Sequence, residues 1–311
     1  MNELRSGAGA VVAENRLYIV GGIQGKKKGV LTSCEWAEID KNGMLGKFNK
    51  AANLVIERGF ITAVEYNGWI YAIGGANGEH GSNLLNTVER AKINPDGSLG
   101  AWILEKNKMF SSRRGVTGAA SMGYIYAIGG FNGEFLDTVE RAKVLKDGSL
   151  DKWELVPQIM QERRYIHGSA IAGKYIYAIG GHKKETGGAL NNVEWSKIDE
   201  KGELTEWKDT SPINIPRFLT GAIANKGYVF VVGGYDGNYI DAVETAKINP
   251  DGSLSKWNTA TPLSTARASM AVASYKEYIY VIGGATAPNG VFLNTIERAA
   301  INNKGEIGNW N

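Results

Sequence analysis

The chain has 311 residues, 43 % hydrophobic and 22 % charged, with a formal charge of +3; that describes one large or two modest globular domains and argues against a bulk nucleic-acid binder. Forty-one glycines beside seven prolines, with no Gly-X-Y period, exclude collagen and low-complexity disorder, and a lone cysteine, Cys34, excludes a disulfide scaffold or a zinc site of several thiolates. No apolar run reaches the ~18 residues of a membrane span, and neither a signal-peptide hydrophobic region nor an Asn-X-Ser/Thr acceptor occurs, so a cytoplasmic protein or an excised domain, without membrane contact, is expected.

In chain order, Arg5 opens a small-residue segment, Ser6-Gly7-Ala8-Gly9-Ala10-Val11-Val12, which predicts a strand A. A strand B follows, with Tyr18 three residues before Gly21-Gly22. Strand C carries Glu35, and strand D holds an aromatic, Phe48, thirteen residues later. The order then recurs five times. Gly-Gly pairs return at 74–75, 129–130, 180–181, 233–234 and 283–284, each preceded at three residues by Tyr71, Tyr126, Tyr177, Phe230 or Tyr280. Arg58, Arg164, Arg217 and Arg267 stand sixteen residues before their pairs, as Arg5 does, and Arg114 is taken at fifteen. Glu89, Glu140, Glu194, Glu244 and Glu297 are each followed at thirteen residues by tryptophan: Trp102, Trp153, Trp207, Trp257 and Trp310. Asn67-Gly68 and the Asp-Gly pairs at 96–97, 147–148 and 251–252 supply the positive φ of tight hairpins. The units run approximately 1–54, 55–110, 111–160, 161–213, 214–263 and 264–311.

A four-stranded unit cannot bury both faces alone. Six units stacked radially about an axis can, so the predicted fold is all-β, a six-bladed β-propeller of four-stranded antiparallel blades. Small residues suit the crowded innermost strand A, and the tryptophans suit the wide outer gaps between blades. The arginine-led small strand, the Tyr-x-x-Gly-Gly strand, the Val-Glu strand and the tryptophan beyond it resemble the Kelch repeat family over the whole chain. Phe48 departs from its tryptophan. Kelch propellers commonly complete one blade with strands from both termini. Here the chain opens on strand A and ends on strand D, so each blade is expected to be contiguous and the ring to close by packing blade 6 on blade 1.

Apart from one deletion between Arg114 and its Gly-Gly pair, spacings vary only in the B–C and D–A connections, which antiparallel topology puts on one rim. Loops on a rigid scaffold carry binding, so function is expected on that rim. The resemblance implies a site there of Arg5, Arg58, Arg114, Arg164, Arg217 and Arg267, with Phe131 and Tyr235 at an aromatic contact position; His182 joins them by its place directly after Gly180-Gly181. Lys26, Lys27, Lys28, Arg113, Arg163, Lys183 and Lys184 add basic charge, and Glu57, Glu79, Glu134, Asp137, Glu162, Glu185, Asp236 and Asp241 add acid. Guanidinium forks suit carboxylates. The expected function is therefore a monomeric, non-enzymatic scaffold that binds a protein's acidic segment or an anionic glycan. Two alternatives stay open. The repeated arginines can pair with the repeated strand-C glutamates between blades as pure architecture. A carbohydrate-active Kelch enzyme such as a sialic-acid mutarotase can be assembled from Arg164, His167, His182 and Glu185. No phosphate loop, nucleophile elbow or metal-ligand spacing calls for a cofactor, and Cys34 reads as a buried thiol.

Overall fold

Strand B is where the repeat buries most. Leu17–Val20, Ile70–Ile73, Ile125–Ile128, Ile176–Ile179, Val229–Val232 and Ile279–Ile282 are at most 2 % exposed, which explains their continuous apolar runs: these strands are covered on both faces. The structure is a computed structural model that describes residues 1–25, 29–183, 187–286 and 291–311, with the backbone alone at His80. In blade 1 the strands Gly9–Ala13, Arg16–Val20, Cys34–Glu38 and Asn49–Lys50 pair antiparallel in chain order. Four more sheets repeat that order. Blade 6 has Ala271–Tyr275, Tyr278–Ile282 and Ile296–Ala300, and Asn311 completes its outer edge by exchanging two backbone hydrogen bonds with Arg298 at 2.9 and 3.0 Å. The propeller is six-bladed and every blade is contiguous. Strand A of blade 1 packs between those of blades 2 and 6, which closes the ring.

Strand A begins later than its sequence suggests. Gly7 has a φ of 60°, so the extended strand starts at Gly9 and Ser6 keeps only a single bridge, to Ile23. Turn chemistry also splits. Both Asn67 and Gly68 are left-handed, at 51° and 78°, whereas in the C–D turn at 96–97 only Gly97 is, at 82°. Asp96 instead accepts the Ser98 amide at 2.9 Å.

The core is divided into six clusters, each in one gap between neighbouring blades. Tryptophans fill the outer part of these gaps. The indoles of Trp102, Trp257 and Trp310 donate to carbonyls of Ala52, Ser211 and Thr261 on the preceding blade at 2.8–2.9 Å. Phe48 packs half-buried in the gap between blades 6 and 1 with no such donor to offer.

Tyrosine hydroxyls link the blades on the C–D side. Tyr18, Tyr71, Tyr126, Tyr177 and Tyr280 each donate to the turn-glycine carbonyl of the next blade (Gly97, Gly148, Gly202, Gly252 and Gly43), all at 2.8 Å. Burial pushes these phenols up, Tyr18 to about 12, so they stay donors. The turns demand glycine: a Cβ on Gly148 would lie 2.4 Å from the Trp69 ring. Blade 5 breaks the series with Phe230, fully buried, before Gly305 of blade 6. Phe230→Tyr should therefore stabilise the protein by about 0.5–1.5 kcal/mol, the net worth of a satisfied buried hydrogen bond. A lower urea midpoint for the variant would show that the hydroxyl finds no acceptor.

Candidate functional site

The repeated arginines are architecture. Arg5, Arg58, Arg164, Arg217 and Arg267 are at most 1 % exposed. Each sits inside its own blade, away from the channel mouth, so its pairing with glutamate runs within the blade rather than between blades. One guanidinium nitrogen donates to the carbonyl of the first glycine of the Gly-Gly pair, at Gly21, Gly74, Gly180, Gly233 and Gly283. Another faces the strand-C glutamate at 2.5–3.1 Å: Glu35, Glu89, Glu194, Glu244 or Glu297. The same carboxylate accepts two consecutive backbone amides, for example Gln161 at 2.6 Å and Glu162 at 3.1 Å on Glu194. A buried charge persists only when paired and hydrogen-bonded in this way. Burial pushes the guanidinium pKa of Arg58, Arg164, Arg217 and Arg267 down while the glutamate pulls it up. Buried in this way, the five guanidiniums face carbonyls and carboxylates of their own blades rather than the open rim where the sequence placed them.

The sixth member is Arg113 rather than Arg114. Arg113 is fully buried, bonds Gly129 at 2.7 Å and pairs with Glu140 at 2.9 Å. The spacing from arginine to Gly-Gly is thus sixteen in every blade, without a deletion. Arg114 is freed for the rim.

Two residues after each buried arginine the backbone turns left-handed: Gly7, Phe60, Gly115, Ile166, Leu219 and Ser269, with φ of 50–60°. All six line the central channel. Neighbouring blades are joined here through backbone amides, Gly7 to Ser269, Ser269 to Leu219, Leu219 to Ile166 and Gly115 to Phe60, at 2.8–2.9 Å. This collar fixes the residues just outside it. In each blade the residue after the arginine bridges the residue after Gly-Gly: Ser6 with Ile23, Gly59 with Ala76, Arg114 with Phe131, Tyr165 with His182, Phe218 with Tyr235, and Ala268 with Ala285. Blades 1, 2 and 6 carry small or aliphatic pairs. Blades 3, 4 and 5 carry aromatic and cationic ones.

Those three blades build a continuous arc of rings. Phe131, Phe135 and Tyr165 contact one another at 5.4–6.0 Å between centroids. Phe135 meets His182 at 5.3 Å, His182 meets Phe218 at 4.9 Å, Phe218 meets Tyr235 at 5.5 Å, and Tyr235 meets Tyr239 at 5.3 Å. Arg114 closes one end, its guanidinium 4.4 Å from the Phe60 ring and 5.9 Å from that of Tyr165. Such stacking holds the cation in place. Its Nε is buried without a hydrogen-bond partner, and no carboxylate lies within ion-pair distance among the described residues. Burial pushes the Tyr165 phenol up, against the pull of Arg114. Phe131, His182 and Tyr235 all contribute rings to this arc. Phe60, Phe135, Tyr165, Phe218 and Tyr239 were missed. The signal for Tyr165 and Phe218 was their position directly after the repeated arginine.

Of the four residues weighed for a sugar site, the three that are described are held by separate partners. Arg164 is buried in its ion pair, and Glu185 lies outside the described residues, as do Lys26, Lys27, Lys28 and Lys184. His167 and His182 keep separate company. The His182 ring joins the arc, its Nε2 3.1 Å from the Gly187 carbonyl. The His167 Nε2 lies 2.8 Å from the Thr117 hydroxyl, while its Nδ1 is buried without a partner. Burial, then Arg164, lowers the His167 pKa to about 3. Cys34 is buried, its thiol pushed up to about 12, which suits packing rather than nucleophilic chemistry.

Among the described rim charges, Arg163 pairs with Asp137 at 3.3 Å and Lys183 with Glu162 at 3.6 Å. Exposed acids, Glu134, Asp236 and Asp241, stand at the edge of the arc. The channel below holds about 420 Å³ and is walled mostly by small or apolar strand-A residues, with Glu65 and His167 as its ionisable members. No helix among the described residues is long and apolar enough to cross a membrane.

Known proteins agree with this architecture. A Kelch motif matches residues 112–141. The chain is 24 % identical over 253 residues to alpha-scruin of Limulus polyphemus; the match takes in 78 % of this chain and 26 % of that protein, so the chain spans about a quarter of this curated relative. It is similar in fold to the solved structure of YjhT, with a TM-score of 0.78, 15 % identity, and coverage of 99 % of this chain and 98 % of the other. With the six buried arginine–glutamate units, these similarities support a Kelch-type repeat propeller.

Proposed function

We propose that the propeller is a binding scaffold that takes an anionic glycan on the B–C/D–A rim, across blades 3 to 5. Arg114 carries the reading. It is a cation held between two rings, with a buried donor unmet and no carboxylate partner among the described residues. A carboxylate arriving there gains charge-assisted hydrogen bonds, and the arc offers ring faces for flat, largely apolar groups. The alternative ligand, an acidic peptide segment, brings several charges toward Glu134, Asp236 and Asp241. A glycan with one carboxylate and several pyranose faces matches the rim better.

Calorimetric titration tests this with a uronate-containing oligosaccharide, its neutral carboxamide analogue and a polyglutamate peptide. The carboxylated sugar should bind best. Arg114→Gln should weaken it about tenfold or more with the melting temperature little changed, and Phe135→Leu should weaken the sugar and the analogue alike. Preference for the peptide, or an Arg114→Gln variant that binds normally, would overturn the assignment.

A further inference from the structure

The repeat supplies its own control for the outer surface. In blades 1 to 5 the strand-C glutamate has two neighbours on the outside: the first residue whose amide it accepts, and the strand-D residue paired across from it. Around Glu35 these are Asn2 and Lys50, around Glu194 Gln161 and Asp209, and around Glu244 Asn214 and Thr259. All are polar. Around Glu89 they are Val55 and Leu104, and around Glu140 Phe110 and Leu155. These four are 40–71 % exposed, Phe110 the most, and Ile103 and Ile159 join them at 45 % and 52 %. Six such side chains expose on the order of 500 Å² of apolar surface, as much as the largest patch of an ordinary monomer.

We infer that this lateral face of blades 2 and 3 joins two copies of the chain edge to edge. Two observations choose a second copy. Strand D of blade 3, Leu150–Leu155, is the longest outer strand among the described residues, its far edge unpaired in the sheet, and an unpaired edge is satisfied by another strand. Its charges are also self-complementary. A two-fold axis through Trp153 sets Lys152 opposite Glu154 of the other copy, twice, in an antiparallel pair, so that each Glu154, already 3.1 Å from the Arg141 guanidinium of its own chain, meets a second cation. The apolar patch with the stems of Lys106, Lys108 and Lys152 approaches the ~800 Å² per partner of a stable interface.

Sedimentation equilibrium of the full chain tests the inference. The protein should dimerise, and Phe110→Asp and Leu155→Lys should each weaken the dimer roughly thirtyfold or more. Both positions are exposed, so the variants should keep the parent's circular dichroism and melting temperature. Lys152→Glu, which sets like charges opposite, should weaken the dimer as well. A wild-type chain that stays monomeric at high concentration overturns the inference, and so does a dimer that all three variants leave intact.

Discussion

Arg164→Met should cost about 3–5 kcal/mol of stability, the penalty of breaking a buried ion pair. The methionine fills similar space, so the loss is electrostatic rather than a cavity. It leaves the buried Glu194 carboxylate without its guanidinium and removes the donors held by the carbonyls of Gly180 and Asn192. Urea denaturation should show a lower midpoint with an unchanged slope. Two backbone amides distinguish this unit from an ordinary ion pair. Glu194 also holds the amides of Gln161 and Glu162, so Arg164→Met/Glu194→Leu should remain unstable, with two backbone donors left unmet. A double variant as stable as the parent would show that the amides find water, and that the carboxylate is dispensable to the D–A connection.

Acid should loosen blades 3 and 4 through His167. Its folded pKa, about 3, lies below the ordinary 6.5. The unfolded chain therefore takes up the proton first. Stability is fully present above pH 6.5 and falls as the pH drops, until the folded imidazole also protonates near 3. The loss from this one group should be about 2 kcal/mol at pH 5. His167→Gln keeps a nitrogen in reach of Thr117 and cannot titrate. Its stability between pH 7 and 4 should decline less steeply than the parent's, by that amount at pH 5. Parallel curves would mean that His167 is solvated in the native state and titrates normally.

The fold was legible because its determinants are local and repeated. Tyrosine before Gly-Gly, glutamate in strand C and tryptophan in strand D each serve one packing role, six or nearly six times over. The site was less legible for the same reason. The arginine that recurs is the one the fold consumes, and the functional candidate is the neighbour that does not recur. Treating Arg114 as a displaced repeat member put it on the rim for the wrong reason, while Arg113 filled the buried position at the standard offset. The ring partners Phe60, Phe135 and Tyr239 carry no periodic mark. They come together only because the collar and the loop lengths of separate blades aim them at one mouth. The charge of the rim was likewise hidden, since pairing of Arg163 and Lys183 with acids depends on contacts between connections.

The collar at the channel mouth has a consequence for recognition itself. Leu219, Phe60 and the β-branched Ile166 hold a backbone conformation that costs of order 1–3 kcal/mol each in isolation, and it persists because amides of adjoining blades lock it. A guest landing on the arc therefore meets rings whose footing is already frozen. Little disorder remains for it to suppress, so affinity should depend on shape and charge match rather than on any closing motion.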